Sequence, residues 1–181
     1  MLISNEWLKD YVNANVSVED LAERITRTGI EVDDIIDYTK DIKNLVVGYV
    51  QSKEKHPDAD KLNICQVDIG EEEAVQIVCG APNIDAGQHV IVAKVGGRLP
   101  GGIKIKRAKL RGERSEGMIC SLQEIGISSN VVPKAYENGI FVFPNEVEPG
   151  TDALTALYLN DQVMEFDLTP NRADALSMVG T

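Results

Sequence analysis

The chain has 181 residues and a formal charge of −11, so it is long enough for one domain or two small ones, and its acidity argues against a general polyanion binder. Hydrophobic residues make up 43% but aromatic ones only 5%, so any core must be built from Val, Ile, Leu and Ala. No apolar run reaches the ~18 residues of a membrane span, and residues 1–12 lack the basic and apolar regions of a secretion signal, so no membrane association and a cytoplasmic location are expected.

The first forty residues read as helix, helix, strand. Ser4 is placed to cap a helix over EWLKDYV, with Trp7, Leu8 and Tyr11 on one face and Glu6 in the first turn, where a negative charge meets the helix dipole. Ser17 starts a second helix with Leu21, Ala22 and Ile25 at helical spacing and Gly29 as its stop. IEVDDIIDY, from Ile30, sets Ile30, Val32 and Ile36 among acids in the manner of a strand.

From Asn44 the pattern changes to short strands: residues 45–53 with Gly48 at a bend, then 62–70, 74–80 and 88–96. After the turn GGRLPGG come a strand over 103–112, another over 116–121 and a last one over 139–144. Five or more short strands joined by polar turns predict a compact β-barrel of OB type. An immunoglobulin-like sandwich fits less well, since it needs about seven strands and a Cys–Trp–Cys core.

Residues 144–153 mark a second boundary; Thr151 or Asp152 caps a short helix, VMEFDLT is a further strand, and Pro170 ends it. Asn171 is placed to cap a helix scarcely begun at Thr181, as in a piece of something longer. The N-terminal segment is too small to hold a core alone. The fold class expected is therefore α+β: residues 1–40 and 151–181 form one small N-terminal α/β domain, and the barrel, 41–150, is inserted between them.

Chemistry concentrates between Lys94 and Arg114. Lys94, Arg98, Lys104, Lys106, Arg107, Lys109, Arg111 and Arg114 are eight of the eighteen Lys and Arg residues, against one acid, Glu113. The window carries +7 and the rest of the chain −18. On a strand, these cations would project at intervals of about 7 Å, comparable with phosphate spacing along a nucleic acid. The same residues would also serve to guard an edge strand against aggregation. No aromatic residue lies between Tyr49 and Tyr136, so base stacking contributes little and any binding is directed to backbone and shape.

Other stretches carry less. KEKHPDADKLN, residues 53–63, reads as a structured loop, because adjacent His, Asp and Lys do not make an acid–base pair without convergence in space. VCGAPN, residues 78–83, is a tight turn and lacks the glycines and Lys-Ser or Lys-Thr of a phosphate loop. Cys65, Cys79 and Cys120 are widely spaced with apolar flanks, and His56 and His89 are isolated, so buried reduced thiols are expected rather than a metal site. No catalytic residue, metal ligand or resident cofactor is expected in this chain.

HPDADKL, VCGAPN and VAKVGGRLPGGIKIKRAKLRGERSEGMICS, in that order and spacing, resemble the tRNA-binding OB domain found in several aminoacyl-tRNA synthetases and their accessory proteins. The flanks S-x-x-W-L-K-x-Y, TGIEVD and TPNRADALS narrow this to a resemblance, over essentially all residues, to the start of bacterial phenylalanyl-tRNA synthetase β subunits. The resemblance implies a four-subunit enzyme that attaches phenylalanine to tRNA with ATP and magnesium. It places aminoacylation in an α subunit, and editing, magnesium ligation and anticodon binding in β-subunit sequence beyond Thr181. The implied partners are tRNA, the α subunit and the rest of the β subunit, with no DNA. The eight cations are the implied RNA contacts; Ser115–Ser121 would be a closing turn and strand, with Glu116, Gly117 and Met118 structural. Similar domains also act as dimerisation or docking modules, so the alternative is a subunit-interaction domain with little tRNA affinity of its own.

Overall fold

The computed structural model describes residues 1–180, in two compact units: Met1–Thr39 with the segment from Leu159, and Lys40–Tyr158. The chain opens with strand β1 (Leu2–Ser4), helix α1 (Asn5–Leu8), helix α2 (Val18–Arg27) and strand β2 (Glu31–Asp37). Both predicted caps form: Ser4 Oγ accepts from the Trp7 amide at 3.0 Å and Ser17 Oγ from the Asp20 amide at 3.1 Å. Helix α1 is shorter than its sequence suggests. It lasts four residues, Leu8 is buried, and Trp7 and Tyr11 stay 55% and 52% exposed. So short a helix depends on packing, and among the described residues that face is only half covered. Helix α2 keeps its full length because Val18 and Ala22 are buried at helical spacing and Gly29 follows it at φ +99°.

The second unit contains β3 (Lys43–Lys55), β4 (Asn63–Asp68), β5 (Val75–Cys79), β6 (His89–Leu99), β7 (Ile103–Lys104), β8 (Ala108–Leu110), β9 (Glu113–Ser115) and β10 (Gly117–Ile119). Its main sheet is antiparallel with the order β10-β6-β3-β4-β5, and β7 joins the end of β6. The sheet curls into a half-barrel whose far edges are tied together. The Glu116 amide donates to Gln76 O at 2.8 Å, and the Val78 amide to Ser115 Oγ at 3.1 Å. Val50, Val67, Ile77, Val90 and Val92 line the inside, so β-branched residues supply the core that the aromatic-poor composition demands.

Two expected strands are corrected. Residues 103–112 are not one strand: the Ile105 amide and carbonyl bond to Gly97 O at 2.9 Å and to Gly96 N at 2.8 Å, and the chain then leaves the sheet through exposed Lys106 and Arg107. Lys106 and Arg107 in succession break the alternation of apolar and polar residues that a half-buried strand needs. Residues 139–144 contribute only the isolated bridge Val90↔Val142, with the Phe143 amide donating to His89 O at 2.9 Å, and Pro144 has no amide to continue a ladder.

Asp152 caps helix α3 (Ala153–Ala156), its Oδ1 accepting from the Thr155 amide at 2.8 Å. The Val47 amide donates to Thr151 O at 2.8 Å, which attaches this segment to β3. Strand β11 (Gln162–Asp167) then lies between β1 and β2 in an antiparallel sheet, burying Met164 and Phe166 against Ile3, Leu8 and Val18. Asp161 fastens the start of α1, accepting from Ser4 Oγ at 2.6 Å and the Glu6 amide at 3.0 Å. After Pro170 only a single 3-10 turn, Ala173–Ala175, forms, preceded by Arg172 and not capped by Asn171. The helix expected to run to Thr181 ends on a residue outside those described. Mostly antiparallel sheet with few helices, the fold is α+β. Among the described residues, no helix is long and apolar enough to cross a membrane.

Candidate nucleic-acid interface

The eight cations fall into separate groups because β6 is interrupted by a large bulge. Leu45 pairs with Ala93 and Lys43 with Arg98, so Asn44 alone on β3 faces residues 94–97 on β6. Asn44 at φ +58° and Gly96 at φ +86° absorb the mismatch, and a Cβ on Gly97 would lie 2.8 Å from Lys94 O. The bulge sends Lys94 to Glu71, with which it forms an ion pair. Beyond it, Arg98 pairs with Lys43 on one side and Lys104 on the other. Residues in register share a face, so Lys43, Arg98 and Lys104 form one exposed row across three strands.

The second group sits on the β8–β9 hairpin. Arg111 (φ +49°) and Gly112 (φ +96°) form its two-residue turn with both φ values positive, the type I′ geometry that suits strand twist. A left-handed non-glycine residue costs about 1 kcal/mol, so Arg111 is held at a small energetic disadvantage at an exposed tip. Lys109 lies directly opposite Arg114. The hairpin is anchored from below: buried His56 donates Nε2–H to Leu110 O at 3.0 Å, and its Nδ1 accepts the Asp58 amide at 3.0 Å, so both ring nitrogens are engaged. Gln76 Nε2 donates to Arg114 O at 2.9 Å and to Glu113 Oε2 at 3.3 Å. A cleft of about 410 Å³ under the hairpin is lined by Gln66, Gln76, Lys109, Glu113 and Arg114.

Glu116 Oε1 lies 3.3 Å from Arg107 Nε and 3.7 Å from Arg114 Nη2, so Glu116 partly neutralises two of the eight. With Lys94 held by Glu71, the candidates without an ion-pair partner among the described residues are Arg98, Lys104, Lys106, Lys109 and Arg111. Three residues outside the basic window join the picture. Lys40 and Lys43 line a second cleft, of about 340 Å³, with Asp41 and Arg98, and His56 ties the hairpin down. Strand register and long-range hydrogen bonds, which place these three, leave no local mark in a sequence.

Other chemistry is confined. Burial pushes the Cys65 thiol up to about 11 and the Cys120 thiol to about 12, and it raises Cys79 as well, so the thiolates needed for nucleophilic attack or metal binding are suppressed at neutral pH. Tyr136, Phe141 and Phe143 pack on one another, with ring centroids 4.9 Å and 5.1 Å apart. The unpaired cations are exposed, with Arg98 and Lys104 on the main sheet and Lys106, Lys109 and Arg111 on the hairpin or the segment leading to it.

Residues 45–152 match the family model described as "Putative tRNA binding domain". Over all 181 residues the chain is 94% identical to the phenylalanine--tRNA ligase beta subunit of Staphylococcus haemolyticus (strain JCSC1435), covering 23% of that subunit. It is 84% identical, with the same coverage, to the corresponding subunit of Staphylococcus aureus (strain Mu50 / ATCC 700699). The chain therefore spans about a quarter of the length of the curated relatives it matches. Among solved structures, the C-terminal domain of Plasmodium vivax p43 is 26% identical, aligned over 64% of this chain and 61% of that one with a TM-score of 0.43. The family match takes in more than half of the chain and every residue of the basic window, and the chain belongs to the tRNA-binding domain family.

Proposed function

We propose that the chain is a non-catalytic part of a phenylalanine–tRNA ligase β subunit that supplies auxiliary, mainly backbone-directed tRNA affinity. In this reading the half-barrel is an OB-type barrel, inserted between residues 1–40 and 151–181 of a small α/β domain. The whole enzyme attaches phenylalanine to its tRNA in the cytoplasm with ATP and magnesium, and an α subunit and the rest of the β subunit carry the catalysis. The observation that carries the proposal is the set of five exposed cations without ion-pair partners among the described residues, all inside the matched segment of an otherwise acidic chain. Each phosphate contact releases counterions, so five contacts give log affinity a slope of about −4 against log salt.

Filter binding of the chain to tRNA tests this. Reversal of Lys104, Lys106, Lys109 and Arg111 to Glu together abolishes retention while the far-ultraviolet circular dichroism stays unchanged. Undiminished binding by that variant sinks the proposal.

A docking role is the second reading. It is favoured by an apolar cleft of about 370 Å³ on the first unit, lined by Leu2, Trp7, Tyr11, Leu176 and Val179, each at least half exposed. That reading predicts the same charge reversals to leave tRNA affinity as it was.

A further inference from the structure

We infer that Lys43, Arg98 and Lys104, with Lys40 at the rim, form a phosphate-binding site for the tRNA backbone, and that this row rather than the β8–β9 hairpin is the principal anion contact. The inference rests on the tRNA-binding reading and goes beyond it by adding Lys40 and Lys43 and by ranking the cations.

Three observations carry it. The first is register: Lys43, Arg98 and Lys104 stand side by side on adjacent strands, so three positive charges fall within about 10 Å on one face. Like charges directly opposite one another are destabilising, and here two such pairs share Arg98. Guarding a sheet edge accounts for a cation at the end of the row but not for Arg98 in its middle. The second is compensation. The cleft that holds Lys40, Lys43 and Arg98 has one carboxylate in its lining, Asp41; with Lys104 beside Arg98 in the row these five groups sum to +3, and none of the four cations is in an ion pair among the described residues. Around the hairpin, Arg107, Lys109, Arg111 and Arg114 meet Glu113 and Glu116, for a net +2, and two of those arginines are already paired. The third is access. Gly101 and Gly102 border the cleft with nothing within 4 Å of where a Cβ would stand, so no side chain at these two positions screens Lys43 and Arg98 from a phosphodiester. The arrangement is also built at a cost, since the bulge that aligns Arg98 with Lys43 holds Asn44 at φ +58°.

The test is filter binding of tRNA over a series of salt concentrations. It uses the wild-type chain, the triple variant Lys43→Ala/Arg98→Ala/Lys104→Ala, and the hairpin variant Lys109→Ala/Arg111→Ala/Arg114→Ala. The row variant is expected to lose about 2 to 3 of the salt slope and at least about tenfold in affinity at low salt, with a smaller loss for the hairpin variant. Without tRNA, the row variant should melt at or above the wild-type temperature, because it sheds charges that repel. The single variant Arg98→Glu at the same exposed position reads the site independently and should weaken binding as well. Wild-type binding with an unchanged slope in the row variant overturns this site alone, and so does a larger loss in the hairpin variant. A wild-type chain that retains no tRNA at low salt overturns the tRNA reading and the site together.

Discussion

At Gly48 the interior of the half-barrel leaves no room for a methyl group. A Cβ there would stand 2.6 Å from Val92 Cγ2 and 2.7 Å from Val67 Cγ1, both on stiff β-branched side chains. Gly48→Ala should therefore cost about 1–3 kcal/mol of stability, measured by chemical denaturation, and a cost near zero would show that the core yields at this point. The cysteines make a second residue-scale case. Their thiols are raised by burial from 9.0 to about 11 for Cys65 and about 12 for Cys120. The folded state thus holds its protons more tightly than the unfolded chain. Their contribution to stability is whole below pH 9 and is lost as pH rises through 9 toward 11–12, at about 1.4 kcal/mol per unit of separation. Denaturation midpoints should hold steady up to pH 9 and fall above it. A thiol reagent should label none of the three at pH 8 until denaturant is added, and rapid labelling of the native chain would contradict this burial.

The β8–β9 hairpin shows at the scale of an element how local and distant bonds divide the work. Its strands are three residues each, too short to persist alone, so its position depends on His56 and Gln76 beneath it. His56→Ala removes the donor to Leu110 O and the acceptor for the Asp58 amide, and should cost about 1–3 kcal/mol. It should also raise amide hydrogen exchange across residues 108–115 more than across β3, and equal protection in both places would remove His56 from this role. None of this was legible beforehand. His56 read as part of a structured loop, and Arg-Gly is not the Asn-Gly or Asp-Gly pair that announces a type I′ turn. By contrast, α2 with its serine cap and glycine stop was plain, as were β4, β5 and β6, because capping and side-chain alternation are written in neighbouring residues. The split of residues 103–112 into β7 and β8 was hidden because the bonds from Ile105 to Gly96 and Gly97 depend on a bulge formed elsewhere. The density of cations was visible as well, while their neutralisation by Glu71 and Glu116 required the fold.

For the molecule as a whole, the central question is how a chain of net charge −11 meets a polyanion. The answer offered is spatial: acids dominate the total, but the row of Lys43, Arg98 and Lys104 and the hairpin tip expose charge that no carboxylate among the described residues neutralises in an ion pair. With no stacking aromatic between Tyr49 and Tyr136, affinity must come from phosphates and must respond to salt. The most direct measurement is filter binding of the chain to tRNA at about 50 mM and about 200 mM salt. Retention at the lower concentration that weakens by two to three orders of magnitude at the higher is the result predicted by about five phosphate contacts. No retention at the lower concentration, or an affinity indifferent to salt, would contradict the account.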